Sequence, residues 1–288
     1  MKNHWIIGDI HGEAGLLERL LDYILRFHPH QLIFLGDYID RGPNSKQVVD
    51  RILSLDLPVT CLMGNHEQML LDAMENSPIG YSPMELWYYN GGEATLLSFG
   101  FNSFFSFRSE MDPGYIEFFA ELKMSYVLEL PGGRKILLVH AGISPQISLE
   151  DLLQLSNYRD LSTYMLRKHL SPEHTFLWVR QDFFRSSPEH WKDHLVVHGH
   201  TPVPKLKRFV SANGATGFSF IENDIAFRKQ DGRLVSVDID SGSTLNGRLT
   251  ALGFFEEDQG GSSRLRMRSL TVSREEVFPR DLGLLNSL

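Results

Sequence analysis

Five short clusters of the sequence combine carboxylate, amide and imidazole side chains with neighbouring glycines. These side chains offer oxygen and nitrogen ligands without a thiolate, which suits manganese, iron or zinc better than a metal that selects sulfur. Glycine beside such residues allows sharp turns and the close approach of a ligand. The clusters are Gly8-Asp9-Ile10-His11-Gly12, Gly36-Asp37-Tyr38-Ile39-Asp40-Arg41-Gly42, Gly64-Asn65-His66-Glu67, His140-Ala141-Gly142 and His198-Gly199-His200-Thr201.

Each cluster taken alone also fits an ordinary structural role. A single histidine at the end of a strand is commonly a hydrogen-bonded structural residue, and a single aspartate before a helix is commonly an N-cap. Such roles do not explain why two aspartates, an asparagine and three histidines all follow apolar runs. We therefore interpret the clusters as parts of one metal site.

Short apolar runs that end in polar residues precede the clusters and predict buried strands. These runs are Trp5–Ile7, Leu32–Leu35, Val59–Met63, Ile136–Val139 and Leu195–Val197. Helical repeats of apolar residues at 16–25, 48–53 and 69–73 follow the first three of these runs in turn. The alternation predicts βαβ units and a largely parallel sheet. Because ligands bind beyond the carboxyl ends of such strands, we expect the clusters to meet at one edge of the sheet.

The rest of the chain predicts a second layer and an insertion. Leu234–Ile239, Leu249–Phe254 and Leu265–Leu270 are rich in β-forming residues and predict strands of a second sheet. The aromatic segment at 77–130 predicts a helical insertion or cap, which packs its own small core or lines a substrate cleft. We expect an α/β fold with two sheets flanked by helices, a single domain over 1–288 and a C-terminal tail at 256–288.

Composition limits the partners and the compartment. The 42% hydrophobic and 22% charged residues are typical of a globular protein, and the net charge of −8 argues against a nucleic-acid partner. The single cysteine, Cys61, is consistent with a reducing compartment. The N-terminus lacks the apolar core of a signal peptide, and no apolar run approaches the ~18 residues of a membrane span. We expect a cytoplasmic protein without a membrane partner.

In combination and order, the five clusters resemble the signature motifs of the phosphoprotein phosphatases, a branch of the calcineurin-like metallophosphoesterases. The first three resemble the three signature motifs, and Val139-His140-Ala141-Gly142 and His198-Gly199-His200-Thr201-Pro202 resemble the two later histidine motifs. Asp238-Ile239-Asp240-Ser241-Gly242 resembles a strand and turn near the end of bacterial members. The resemblance covers residues 5–254, most of the chain.

The resemblance implies a binuclear metal centre, with manganese expected and iron or zinc as alternatives. Asp9, His11 and Asp37 would hold one ion. Asp37 would bridge to a second ion, which Asn65, His140 and His200 would hold. A hydroxide shared by the two ions would attack phosphorus in line.

The resemblance also implies roles around the phosphate. Arg41, Arg180 and Asn65 would bind it, although Arg180 could instead form a surface salt bridge. His66 would protonate the leaving oxygen, and Asp40 would orient His66. His198 could either contact the metal ligands without binding a metal ion itself or have a purely structural role.

The resemblance implies phosphatase activity on phosphomonoesters, and the substrate would be a phosphorylated protein or peptide or a small phosphoester. Symmetrical diadenosine tetraphosphate hydrolases are related enzymes and the main alternative, but they typically lack the equivalents of Asp40 and Glu67. Those two residues favour a serine/threonine protein phosphatase. A nuclease or phosphodiesterase of the same fold, and a binding protein that has lost catalysis, are more remote alternatives.

Overall fold

The computed structural model describes residues 2–75, 82–130, 133–192, 194–259 and 262–285. Its strands in chain order are β1 (Asn3–Ile7), β2 (Gln31–Phe34), β3 (Val59–Cys61), β4 (Tyr126–Glu129), β5 (Lys135–Leu138), β6 (Leu195–His198), β7 (Phe218–Ile221), β8 (Ile225–Gln230), β9 (Arg233–Asp238), β10 (Arg248–Gln259), β11 (Ser262–Ser273) and β12 (Val277–Leu284). The runs that predicted strands at the first three clusters and at the two later histidines coincide with β1, β2, β3, β5 and β6.

Helices occupy much of the chain between these strands. In chain order they are α1 (Ala14–Ile24), α2 (Ser45–Leu53), α3 (Asn65–Glu75), α4 (Pro83–Tyr89), α5 (Gly92–Ser98), α6 (Phe104–Glu110), α7 (Pro113–Ala120), α8 (Leu149–Gln154), α9 (Tyr158–Lys168), α10 (Gln181–Arg185), α11 (Val203–Asn213) and α12 (Ser243–Asn246). Short 3₁₀ turns lie at Leu25–Phe27, Pro172–His174 and Pro188–Trp191. Among the described residues, none of the helices has the length and apolarity that a membrane crossing requires.

The described strands form two mixed sheets. The first has the order β12-β11-β10-β1-β2-β3, in which β1 is parallel to β2 and antiparallel to β10. The second has the order β4-β5-β6-β9-β8-β7, in which β5, β6 and β9 are parallel and the outer strands are antiparallel. The prediction of a largely parallel sheet is therefore wrong, because parallel pairing joins only β1, β2 and β3 in the first sheet and β5, β6 and β9 in the second.

The two sheets pack face to face, and helices cover their outer faces. Ile6 and Leu252 of the first sheet lie in one buried cluster with Ile136 and Val197 of the second. Side chains alternate along a strand, so the neighbours of Ile6 point the other way and pack against the helices. The α/β fold with two sheets flanked by helices is confirmed.

The assignment of the C-terminal strands needs a correction. Leu234–Ile239 forms β9 in the second sheet as predicted, but Leu249–Phe254 and Leu265–Leu270 lie in β10 and β11 of the first sheet. Strand β10 pairs with β1 in a register that places Asn3 opposite Phe255. An alternating pattern predicts a strand without predicting its partner, since that partner lies about 250 residues away in the sequence.

The predicted single edge for the clusters is wrong for a related reason. Three clusters follow strands β1, β2 and β3 of the first sheet, whereas the two later histidine clusters follow β5 and β6 of the second. Because the two sheets pack against each other, the carboxyl ends of both sets of strands still meet at one end of the molecule. The site thus lies across two sheets instead of along one.

The segment predicted as an insertion contains helices α4 to α7, followed by β4, which pairs with β5 in the second sheet. Residues 77–81 of that prediction lie outside the described residues. Trp87 is fully buried against Phe104 and Phe107 in this segment.

The segment predicted as a C-terminal tail at 256–288 contains the end of β10 and then β11 and β12. The domain boundaries themselves stay predictions.

Candidate functional site

Left-handed backbone marks several of the predicted site residues. The φ angles are +48° at His11, +55° at Asp37, +71° at Asp40, +68° at Arg41 and +68° at His200. Residues other than glycine rarely adopt this backbone conformation, and it persists only where the surrounding structure enforces it. These five residues lie in the turns after three strands, which indicates that the turns form a functional site and do more than reverse the chain.

Glu67 organises the turn that carries Asp37. One oxygen of its carboxylate accepts from the backbone N–H groups of Asp37 at 2.9 Å and Gly64 at 3.0 Å. The other accepts from those of Tyr38 at 2.8 Å and Ile39 at 3.3 Å. Glu67 distinguishes two related kinds of enzyme in the sequence motifs, but those motifs did not predict this structural role. A fully buried glutamate that directly follows site residues is the signal that could have found it.

Two glycines leave room for carboxylates of the site. A Cβ atom added at Gly64 would lie 2.1 Å from Asp37 Oδ1, and one added at Gly199 would lie 2.1 Å from Asp9 Oδ1. Any larger residue would therefore push a predicted metal ligand out of position. These two positions explain why glycine occurs within the motifs.

Most of the predicted ligands lie in two buried groups that share Asp37, and the first group also includes His66, which was predicted as the proton donor. His11, Asp37 and His66 form one group, and Asp37, His140 and His200 form the other, each with one donor atom per residue within 4.8 Å of the others. A carboxylate has two oxygens and can contribute to both groups. The resemblance implies a bridging role for Asp37, and that role stays a prediction.

Backbone carbonyl groups determine which ring nitrogen of each histidine carries the proton. His11 and His140 donate from Nδ1 to Ile39 O at 3.0 Å and Leu35 O at 2.9 Å. His200 donates from Nε2 to Trp178 O at 3.2 Å. Burial lowers the pKa of all three imidazoles, which keeps them neutral. Each therefore turns an unprotonated nitrogen towards the centre of the site.

The unprotonated nitrogens face oxygen atoms that also have only lone pairs to offer. His140 Nε2 lies 3.0 Å and His200 Nδ1 lies 2.8 Å from the side-chain oxygen of Asn65. His140 Nε2 also lies 3.4 Å from Asp37 Oδ1. Facing lone pairs repel unless a cation lies among them. This donor set therefore fits a divalent metal ion, and nitrogen and oxygen ligands of this kind suit manganese, iron and zinc.

Asp9 lies at the edge of this arrangement. Its carboxylate accepts from the backbone N–H of His200 at 3.0 and 3.2 Å, and it belongs to neither of the two donor groups among the described residues. Burial raises the pKa of Asp9, and the nearby Asp240 and Asp37 add to that rise. Such crowding of carboxyl groups favours the binding of a positive charge beside them.

His66, a member of the first donor group, forms a fully buried pair with Asp40. His66 Nδ1 donates to Asp40 Oδ2 at 2.7 Å, and the backbone N–H of His66 donates to Asp37 Oδ1 at 3.1 Å. Burial lowers the pKa of the His66 imidazole to about 4. The pairing leaves His66 Nε2 on the side of the site that faces Arg41.

The two arginines reach the site from different directions. The exposed Arg41 places one terminal nitrogen 2.6 Å from His11 Nε2 and the other 2.8 Å from His66 Nε2. Arg180 donates to His200 O and to Thr201 Oγ1, both at 3.1 Å. Within the described part of the chain Arg180 forms no ion pair with a carboxylate, so the alternative of a surface salt bridge gains no support.

His198 separates from the other histidines. Its ring packs edge-on against Phe183 with the centroids 5.0 Å apart, and its Nδ1 lies 4.0 Å from Asp238 Oδ2. It is buried and outside both donor groups. These contacts favour the structural alternative that the sequence left open.

Two residues that the sequence motifs did not predict contact Asp40. Trp87 Nε1 lies 3.0 Å from each oxygen of that carboxylate, and Thr95 Oγ1 donates to Oδ1 at 2.6 Å. Both residues lie in the aromatic segment at 77–130, where an aromatic side chain usually indicates packing. A buried tryptophan normally has an acceptor for its N–H, and this rule is the signal that could have indicated a polar contact of Trp87.

Comparison with known proteins finds two kinds of relative. Serine/threonine-protein phosphatase 1 of Salmonella typhimurium is 42% identical over 94 residues, 32% of this chain and 40% of that protein. The symmetrical bis(5'-nucleosyl)-tetraphosphatase of Coxiella burnetii is 28% identical over 197 residues, 67% of this chain and 57% of that protein. The matches thus span about half the length of these relatives.

A solved structure and a family pattern complete the comparison. A serine/threonine phosphatase structure from Saccharomyces cerevisiae covers 100% of this chain and 84% of its own, with 14% identity and a TM-score of 0.48. The pattern of the calcineurin-like phosphoesterases matches residues 3–233. With that match over most of its length, the chain belongs to the calcineurin-like phosphoesterase family.

Proposed function

We propose that this chain is a metal-dependent phosphatase that hydrolyses phosphomonoesters, with phosphoserine and phosphothreonine in proteins as its main substrate class. The observation that carries the proposal is the buried pair of His66 and Asp40, with His66 Nδ1 2.7 Å from Asp40 Oδ2, where His66 also belongs to one of the two donor groups that share Asp37. A proton donor next to a cation site is the combination that cleavage of a poor leaving group requires.

Six residues would hold two divalent ions, with manganese expected. They are Asp9, His11, Asp37, Asn65, His140 and His200. When bound, two such ions supply Lewis acidity that activates water and neutralises charge on a phosphoryl group. The convergence of neutral imidazole nitrogens and carboxylate and amide oxygens supports this assignment.

Arg41, Arg180 and Asn65 would bind the phosphate. Guanidinium groups bind phosphate oxygens through two parallel N–H groups. Arg41 and Arg180 are both exposed, and Arg41 is anchored by the contacts of its two terminal nitrogens with His11 and His66. In this role Arg41 would turn from those imidazoles to the substrate, which also releases the His11 nitrogen that the first ion requires.

His66 would hold a proton at Nε2 and pass it to the leaving oxygen. Its Nδ1–H is donated to Asp40 Oδ2, so the other ring nitrogen is the one available to substrate. Asp40 fixes the orientation of the ring and stabilises its charged form. A general acid of this kind contributes roughly 10²- to 10⁴-fold to the rate.

The test compares three substrates with metal-stripped protein, with and without Mn²⁺: an aryl phosphate, a phosphothreonine peptide and diadenosine tetraphosphate. We expect metal-dependent release of phosphate from the first two. Parallel reactions with Fe²⁺ and Zn²⁺ test the choice of metal, and the Asp37→Asn variant tests whether the activity belongs to this site. Turnover that is equal with and without added metal would contradict the proposal.

Hydrolysis of symmetrical dinucleoside tetraphosphates is the second candidate. It is favoured by the Coxiella burnetii relative, whose match covers 197 residues of this chain against 94 for the Salmonella typhimurium relative. The retained Asp40 and Glu67 count against it. A clear preference for diadenosine tetraphosphate over both phosphomonoesters in the same assay would establish this second candidate in place of the first.

A further inference from the structure

The carboxylate of Asp40 is enclosed by donors from two parts of the chain. His66 donates to Oδ2, Thr95 donates to Oδ1 at 2.6 Å, and Trp87 Nε1 lies 3.0 Å from both oxygens. All four side chains are completely buried. Two of the three donors, Trp87 in α4 and Thr95 in α5, come from the helices that follow β3 and not from the metal-site loops.

The same helices also hold the backbone of the turn. The N–H of Asp40 donates to Thr95 Oγ1 at 2.8 Å, and the N–H of Arg41 donates to the carbonyl oxygen of Gly91 at 3.1 Å. Asp40 and Arg41 are consecutive residues in the left-handed region. Such a conformation needs support from the surrounding structure, and Thr95 of α5 and Gly91, which lies between α4 and α5, each accept one of these hydrogen bonds.

Trp87 has little freedom to move from this position. Its ring packs against Phe107 with the centroids 5.6 Å apart and against Phe104 at 5.8 Å. On another side, a Cβ atom added at Gly92 would lie 2.4 Å from the ring. The indole N–H is therefore held in a fixed direction, and that direction is towards Asp40.

We propose that Trp87 and Thr95 are positioning residues for the proton donor: they hold the Asp40 carboxylate in the orientation that His66 requires. This inference rests on the proposed function, since it assumes that His66 supplies a proton to the leaving oxygen. Neither residue touches the substrate or the reacting atoms. Both act through Asp40, which in turn acts on His66.

The inference predicts a dependence on the leaving group. Trp87 and Thr95 fix the direction of the Asp40 carboxylate, so removing either donor lets that carboxylate, and the His66 ring bonded to it, turn away from the leaving oxygen. A poor leaving group such as a threonine alkoxide needs that proton, whereas p-nitrophenolate leaves without it. Loss of packing alone would lower both rates to the same extent.

The test uses Trp87→Phe, which keeps most of the ring and removes the N–H. For a phosphothreonine peptide we expect kcat to fall about tenfold, and for p-nitrophenyl phosphate less than about threefold. The KM values and the affinity for Mn²⁺ should stay close to those of the unaltered protein. Thr95→Val, which removes the other donor without changing the volume, should shift the ratio of the two rates in the same direction.

Trp191→Phe is the matched control. Trp191 is also fully buried and packs against Phe183 with the centroids 5.2 Å apart. Its Nε1 has no hydrogen-bond partner among the described residues. Any effect of Trp191→Phe should be equal for the two substrates. Equal losses on both substrates for Trp87→Phe and Thr95→Val would overturn the inference.

A second readout does not depend on turnover. In the NMR spectrum the indole proton of Trp87 should exchange slowly with solvent and shift in the Asp40→Asn variant, while that of Trp191 stays in place. Absence of that shift would overturn the inference even if the enzyme were active. If the protein hydrolysed no phosphomonoester but the shift were present, the proposed function would fail while the contact between Trp87 and Asp40 stood.

Discussion

The carboxylate of Glu67 accepts a hydrogen bond from the backbone N–H of Asp37 at 2.9 Å. Glu67 lies in the first turn of α3, two residues after Asn65, so one helix start carries both a predicted ligand and the support for the shared ligand. The turn after β2 and the turn after β3 are thus joined through a single side chain. Loss of that side chain should affect both donor groups together.

Replacement of Glu67 by glutamine tests this connection. The amide keeps one acceptor oxygen and turns an NH₂ group towards backbone N–H groups, which leaves two of the four buried donors without a partner. We expect a loss of about 2–3 kcal/mol in the free energy of unfolding and weaker binding of Mn²⁺. Urea denaturation and metal titration measure the two effects. Glu117→Gln, at an exposed site, should change neither, and an unaltered Glu67→Gln protein would refute this role.

Gly199→Ala should disturb Asp9 without any change in the polar residues of the site. The added methyl group would lie 2.1 Å from Asp9 Oδ1, so either the carboxylate or the turn must move. Overpacking of this kind costs about 1–3 kcal/mol, and we expect reduced metal affinity as well. Gly15→Ala in α1 is the control, because nothing lies within 4 Å of the new methyl group. It should stabilise the protein by about 0.5–1 kcal/mol. Equal behaviour of the two variants would contradict the close contact.

His66→Asn removes the proposed proton donor and leaves the metal ligands in place. The rate on a phosphothreonine peptide should fall by about 10²-fold or more, with a much smaller loss on p-nitrophenyl phosphate. Metal content, measured by elemental analysis after dialysis, should be nearly unchanged. Equal losses on the two substrates would count against an acid role for His66.

Asp72 gives a prediction about pH that is independent of the metal site. Burial raises the pKa of this carboxyl to about 6, with the hydrogen bond from Tyr158 opposing the rise and the charge of Glu75 adding to it. Because the folded state then binds the proton more tightly than the unfolded chain does, the contribution to stability is complete below about pH 4 and is lost as the pH rises through 6.

The Asp72→Asn variant retains an acceptor for the Tyr158 hydroxyl, 2.7 Å from Asp72 Oδ1, and cannot ionise. It should therefore be more stable than the unaltered protein by about 1–3 kcal/mol at pH 8, with the difference vanishing near pH 4. Urea denaturation at both pH values measures the change. A difference that stays constant with pH would show that the burial of Asp72 does not control its ionisation.

The sequence was sufficient to predict the strands that carry the site. The runs before Asp9, Asp37, Asn65, His140 and His200 are short, apolar and followed by glycine or polar residues, and this pattern depends on burial alone. It could not predict that Leu249–Phe254 pairs with the first strand. Pairing across the length of the chain depends on which faces are covered, and single-sequence periodicity does not report that.

The contacts around Asp40 could be predicted only in part from the sequence. Asp40 and His66 belong to motifs and were predicted, whereas Trp87 and Thr95 lie among aromatic residues whose common role is packing. Their contacts with Asp40 depend on how α4 and α5 dock on the turn after β2. Such a relation between distant segments exists only in the folded chain.

We propose that Asp37 joins two cation sites, and the Asp37→Asn variant removes the negative charge that the two sites would share. Calorimetric titration of Mn²⁺ into the metal-stripped protein should show about two equivalents bound, as the two donor groups imply. In the variant the affinity of both equivalents should fall by about tenfold or more, because each ion loses a charged ligand. Turnover of p-nitrophenyl phosphate should be lost in the same samples. If the variant bound two equivalents with unchanged affinity, or if the unaltered protein bound no Mn²⁺, then Asp37 would not join two cation sites.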